Sequence, residues 1–154
     1  MNSMLTYNGT LLSPATGYIK DLQEIDDEVY SSGMMGSGLA IILDGSDYNI
    51  YSPTEGEVTV LFPTGHAIGI KSAEGVDLLI HIGIDSFREK DLVKKYIKQG
   101  DRVHKGQPLV KINESKFGTD DNIVILTLPG YSKEIEKTAS VEKVKACVSE
   151  IIKY

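Results

Sequence analysis

Two of the three histidines in this 154-residue chain, His66 and His81, are its best candidates for chemistry. They lie in "TGHAIGIKSAEGVDLLIHIG", residues 64 to 83. Each stands at the outer end of an apolar run, and the polar stretch Ser72-Ala73-Glu74-Gly75 separates the two runs. Apolar, β-favouring runs on either side of a short turn read as a hairpin. With Ser72 to Gly75 as a four-residue loop, Lys71 pairs with Val76 and the numbers of every pair sum to 147. His66 then faces His81 directly, flanked on that face by Ile68 and Leu79. Opposed residues of an antiparallel pair share a face, with Cβ atoms about 5 Å apart. A β-bulge would break this register.

Two adjacent imidazoles in apolar surroundings resist double protonation, because burial and a like charge each lower a histidine pKa. At least one ring is expected neutral near pH 7, with a nitrogen lone pair available. Such a nitrogen can bind a metal, act as a nucleophile, or simply share a structural hydrogen bond. Zinc normally takes three or four protein ligands. His104 stands in a charged turn and Cys147 in the tail, and no H-x-H, H-E-x-x-H or C-x-x-C occurs. A metal is therefore not required here, although His66 and His81 could close around one with a partner's carboxylate.

The elements that must position this pair read as short strands. Leu5 to Ser13, Tyr18 to Leu22, Leu39 to Leu43, Pro108 to Ile112 and Ile123 to Leu128 are strand candidates divided by glycine and proline turns. "YNIYSPTEGEVTVLFPTG" reads strand, turn, strand, turn, with Val58, Val60 and Phe62 alternating against Thr59 and Leu61. Asp26 to Glu28 opens a loop, Phe87 to Lys98 is mixed with some helical character, and Asn113 to Asn122 is polar with room for one helical turn. The tail, 141 to 153, fits either period and is expected as strand. "G-E-V" at 56 and "G-D-R-V" at 100 hint at internal pseudo-symmetry. The sum is an all-β protein: an antiparallel β-sandwich or barrel-sandwich hybrid with short helical turns, in one domain spanning 1–154.

Composition narrows the function classes. A formal net charge of −6 argues against nucleic acid as a main partner, since phosphate binding needs a basic face. A single cysteine permits no intrachain disulfide and fits a reducing cytoplasm. No run approaches the roughly 20 apolar residues of a spanning helix, and Met1 to Ser13 does not read as a signal peptide, so direct membrane insertion is not expected.

"TGHAIGI" followed by "HIGID", together with "LLSPATGYI", "MGSGLAI", "SPTEGEV" and "GDRVHKGQPLVKI" in the same order, resembles the glucose-family IIA component of the bacterial sugar phosphotransferase system. The resemblance covers nearly the whole chain. It implies a cytoplasmic β-sandwich phosphocarrier that takes a phosphoryl group from phospho-HPr and passes it to a cysteine on the IIB domain of a sugar permease. It implies that His81 is phosphorylated through Nε2, that His66 hydrogen-bonds the phosphoryl group, and that Thr64 orients the His66 ring. No cofactor is implied beyond the transient phosphoryl group. Asp27 and Asp85 match acidic rim positions; Val29, Tyr30, Met35, Phe62 and Leu79 match apolar positions of the partner surface. Tyr30 and Leu79 stand where the family often has phenylalanine. Regulatory targets are also known for some members.

Two other classes compete on the residues alone. A lysostaphin-type zinc peptidase also uses histidines on a sheet but needs the missing H-x-H pair. A biotinyl- or lipoyl-like carrier presents a lysine at a hairpin tip; here the tip is Ala73-Glu74, with Lys71 just outside it.

Overall fold

The computed structural model describes residues 7–25, 27–83, 91, 93–116 and 122–154. Strands run β1 (Thr10–Leu12), β2 (Gly17–Asp21), β3 (Ser37–Leu43), β4 (Asn49–Tyr51), β5 (Gly56–Leu61), β6 (Ala67–Ser72) and β7 (Asp77–Ile82). They continue as β8 (Val93–Lys95), β9 (Arg102–Val103), β10 (Pro108–Ile112), β11 (Ile123–Leu128), β12 (Glu136–Lys137), β13 (Lys143–Val144) and β14 (Glu150–Lys153). One short helix, α1 (Glu28–Ser31), and 3-10 turns at Leu22–Glu24 and Glu114–Lys116 complete the described elements.

An eight-stranded antiparallel sheet, ordered β13-β2-β3-β11-β7-β6-β5-β9, is the main layer. Two three-stranded sheets, β1-β14-β12 and β4-β10-β8, supply the other side. Leu11, Ile50, Val110 and Ile151 from the small sheets, with Tyr154 just after β14, pack with Ile41, Ile68, Ile70, Ile80 and Leu126 of the large one in a single apolar cluster. The result is a β-sandwich. The large sheet stays open between its edge strands β13 and β9, so the barrel half of the expected hybrid does not appear.

The strand β11 shows why the architecture has a second, smaller core. All six of its residues are buried. Val124, Leu126 and Leu128 face the sandwich interior, while Ile123 and Ile125 join Leu22, Ile25, Tyr30 and Ala40 on the outer face. An uninterrupted apolar run suits a strand covered on both sides. Its outer cover comes from Leu22, Ile25, Tyr30 and Met35, and the expected loop contains α1; Asp27 caps it, its carboxylate accepting from the Val29 N–H at 2.9 Å.

The expected hairpin forms, but its register is one residue off. Ala67 pairs with His81, Ile68 with Ile80, Gly69 with Leu79 and Lys71 with Asp77. The cause lies in the turn. Gly75 N–H donates to the Ser72 carbonyl and Ser72 N–H to the Val76 carbonyl, both at 2.8 Å, with Gly75 at φ +85. A glycine in the left-handed region after a tight turn is a bulge residue, and it makes two residues oppose one. Ser72 thus faces both Gly75 and Val76, and the pair sum becomes 148. Ile68 points into the core with Ile80 rather than flanking the histidines, and Leu79 sits across from Gly69.

Other expectations shift for similarly local reasons. A bulge between Val58 and Val60 breaks the alternation in β5, leaving Val58 buried and Val60 exposed. The two glycine turns meet: Gly56 pairs with Val103 and Glu57 with Arg102. Within the mixed stretch after Phe87, Val93–Lys95 is strand rather than helix, because it adds to β10 at Val110–Ile112. The tail is strand, as two short pieces parted by a turn in which Cys147 has φ +64.

The register makes a quantitative demand. Ile68 is fully buried on the core face, so Ile68→Ala should cost about 2–5 kcal/mol in urea denaturation. Val60→Ala, on an exposed residue of the bulged strand, should cost under about 1 kcal/mol. Equal small losses at both positions would contradict the 148 register.

Candidate functional site

His81 lies near the end of β7 on the face that carries Leu79 and Asp77, away from the sandwich interior. Its lateral neighbour is Ile125 of β11, which places it against the second apolar cluster. His66 precedes the first paired residue of β6, so the pleat's alternation does not constrain it. Its backbone still joins β7, with the Ile82 N–H donating to the His66 carbonyl at 2.7 Å. The two rings meet with centroids 5.3 Å apart and planes at 83°. The pair that sequence spacing predicts is therefore real in space, though reached from positions offset by one residue.

Two aromatic rings extend the pair. The Tyr30 ring lies 5.5 Å from that of His81, tilted by 55°, and the Phe62 ring lies 5.2 Å from that of His66, edge-on. Tyr30, His81, His66 and Phe62 thus form a continuous row of rings. Tyr30 is 6% exposed and His66 7%, whereas Phe62 is 44% exposed. One end of the row is anchored in the fold and the other is open to a partner.

Each histidine is held through Nδ1. His81 Nδ1 lies 2.7 Å from the Gly83 carbonyl oxygen. A carbonyl only accepts, so Nδ1 carries the proton and Nε2 of the neutral ring keeps its lone pair. His66 Nδ1 is hydrogen-bonded to the Thr64 hydroxyl. Thr64 sits in the tight turn Phe62–Gly65, which is closed by Gly65 N–H donating to the Phe62 carbonyl at 2.7 Å with Gly65 at φ +75. The Gly83 carbonyl is the orienting group that residue types could not reveal, since every residue carries one.

Burial holds both imidazoles below their ordinary protonation range. For His66, desolvation dominates and the neighbouring His81 adds to it. For His81, desolvation prevails over the opposing pull of the Gly83 carbonyl and the Asp27 carboxylate. Tyr30 is pushed up to about 12 by its own burial and by Asp27, which keeps it a phenol.

The remaining expected residues distribute around this centre. Asp27 is half-buried at the head of α1, where it influences both His81 and Tyr30. Val29 and Phe62 are exposed at 43% and 44% and so lie outside the core, and Met34 is more exposed still. Met35 and Leu79 are half-buried, and Met35 packs on the second cluster. Tyr30 forms the wall behind His81 rather than open surface. Asp85 lies outside the described residues. Among the described residues no group of three or more His, Cys, Asp or Glu is placed to hold a metal ion.

Residues 9–128 match the family described as phosphoenolpyruvate-dependent sugar phosphotransferase system, EIIA 1. The chain belongs to this family. Among EIIA relatives, the glucose-specific EIIA component of Bacillus cereus is 31% identical over 145 residues, covering 91% of this chain and 87% of that protein. The glucoside-specific EIICBA component of Staphylococcus carnosus is 37% identical over 139 residues, covering 86% of this chain. The β-glucoside-specific EIIBCA component of Bacillus subtilis is 38% identical over 144, covering 87%. The chain spans 20% and 23% of those two multi-part proteins. In three dimensions it resembles glucose permease IIA from Mycoplasma capricolum, with a TM-score of 0.79 and 29% identity over 97% of this chain and 98% of that one. The EIIA sandwich is thus confirmed, and neither the peptidase nor the cofactor-carrier alternative gains support. No helix among the described residues is long and apolar enough to cross a membrane.

The protonation balance has a signed consequence. With both folded pKa values below the ordinary 6.5, the unfolded chain takes up protons first as pH falls. This contribution to stability is fully present above pH 6.5 and declines as pH drops from there through the folded midpoints. Proton–nitrogen NMR titration should place both imidazole midpoints below 6.5. A midpoint above 6.5 for His81 would mean that Asp27 and the Gly83 carbonyl outweigh burial.

Proposed function

We propose that this EIIA chain is a phosphocarrier in which His81 Nε2 carries the phosphoryl group between phospho-HPr and a cysteine on the IIB domain of a sugar permease. The observation that carries the reading is the Gly83 carbonyl on His81 Nδ1, which leaves Nε2 as the nucleophilic nitrogen beside the His66 ring. In the first step the Nε2 lone pair forms a bond to phosphorus. The donor's N–P bond breaks and its electron pair returns to the donor imidazole. In the second step the IIB thiolate attacks phosphorus, and the His81 N–P electron pair returns to Nε2. No metal or other cofactor takes part.

The neighbouring residues do positional and electrostatic work, which supplies most of the catalysis in phosphoryl transfer. With the Thr64 hydroxyl donating to His66 Nδ1, the His66 proton resides on Nε2, where it can stabilise the phosphoryl oxygens. Asp27 sits close enough to influence His81 and therefore opposes accumulation of negative charge there, favouring onward transfer over storage. The exposed apolar residues Val29 and Phe62 would meet each partner in turn, with Tyr30, Met35 and Leu79 backing them, while Asp27 and Asp85 receive its basic residues. Charged rims speed encounter more than they tighten binding, which suits a carrier that must release. A cytoplasmic setting follows from the donor and acceptor. Regulatory docking of other proteins would use the same face.

Phosphoenolpyruvate, enzyme I and HPr should label the wild-type chain, and His81→Ala should take no label. His66→Ala should still be labelled, while delivery to IIB slows by about a hundredfold or more, the usual effect of removing one transition-state donor. Full labelling of His81→Ala would sink the assignment.

A further inference from the structure

Thr64 and His66 are presented by the turn Phe62–Gly65, and that turn does not stand alone. It rests on β8, a strand of the opposite layer of the sandwich. The Lys95 ammonium donates to the Pro63 carbonyl at 2.6 Å across 32 positions of sequence. Gly65 packs so closely on β8 that a Cβ there would lie 2.2 Å from Val93 Cγ2 and 3.3 Å from Lys95 Cγ. The lysine therefore touches the turn twice: its stem lies under Gly65 and its head closes on the carbonyl immediately before Thr64. The Gly65 contact also explains why the turn needs a residue without a side chain, in addition to its left-handed backbone.

We propose that Lys95 is a positioning residue for phosphoryl transfer, acting through the Phe62–Gly65 turn to hold Thr64 where it fixes the orientation and tautomer of His66. The proposal rests on the phosphocarrier reading for its effect on transfer, but its structural half does not. A charge-assisted hydrogen bond to a carbonyl is stronger than a neutral one, and here it ties the site's turn to a layer that His66 does not otherwise touch through its strand. Loss of the bond frees the turn to rotate without removing any group that contacts the phosphoryl. Since small misplacements of a catalytic group slow reactions steeply, the loss falls on the step that needs His66.

Lys95→Met keeps most of the stem and removes the ammonium, and Lys95→Arg retains a donor. The side chain is exposed, so both variants should fold with unchanged circular dichroism. Long-range proton–nitrogen NMR on the unphosphorylated protein should show altered Nδ1 and Nε2 signals of His66 in Lys95→Met, with those of His81 little changed. Labelling of His81 from phospho-HPr should persist, while delivery to IIB falls about tenfold; Lys95→Arg should restore the His66 signals and most of the rate. Wild-type His66 signals in Lys95→Met would overturn the proposal. So would equal slowing of labelling and delivery with no recovery in Lys95→Arg. Absence of label on the wild-type chain would count against the phosphocarrier reading instead, and the His66 spectra would still decide the role of Lys95.

Discussion

The antiparallel ladder between β6 and β7 governs which side chains of the chain's centre enter the core and which are left for chemistry. With Ala67 opposite His81, the residues Ile68, Ile70, Leu78 and Ile80 all fall on the interior face. His81 falls on the other face, over Ile125 and beside Tyr30. A slip of one residue would invert both outcomes together, because side chains alternate with a period of two. The burial of four large aliphatic residues thus fixes the address of one imidazole. The bulge at Gly75 is the local device that accommodates this register.

The site built on that address is economical in its polar groups. Two imidazoles lie side by side, and each spends its Nδ1 on one oriented hydrogen bond, to a carbonyl in one case and a hydroxyl in the other. The different partners give the rings different capacities. A carbonyl dictates which nitrogen of His81 holds the proton, whereas a hydroxyl can donate or accept and leaves His66 able to present a proton outward. Burial lowers the pKa of both rings and so favours their neutral forms, and a neutral ring is what a nucleophilic nitrogen requires. The aromatic row is buried at its Tyr30 end and exposed at its Phe62 end.

Openness on one side accounts for the surrounding surface. Val29, Met34 and Phe62 are exposed apolar residues in a protein whose other large apolar side chains are mostly buried. Exposed apolar residues of this kind lower the free energy of docking wherever a partner covers them, by releasing water.

The chain's own order of residues determined the strand-rich class, the place of most strands, the hairpin and the nearness of the His66 and His81 rings, though not their register. Those features depend on local period and turn chemistry, which a linear reading samples directly. The bulges at Gly75 and after Val58, the helix α1 and the strand Val93–Lys95 were settled in three dimensions. Gly75 can end a plain loop or serve as a bulge residue, and only the burial of Ile68 with Ile80 chooses between them. Val93–Lys95 becomes strand because β10 offers it an edge, whatever its own mixed pattern. The roles of Gly83 and Lys95 were invisible in the same way. One acts through a backbone carbonyl that every residue possesses, the other across the two layers of the sandwich. Residue type names the reactive groups, but their protonation and aim come from neighbours that only packing brings together.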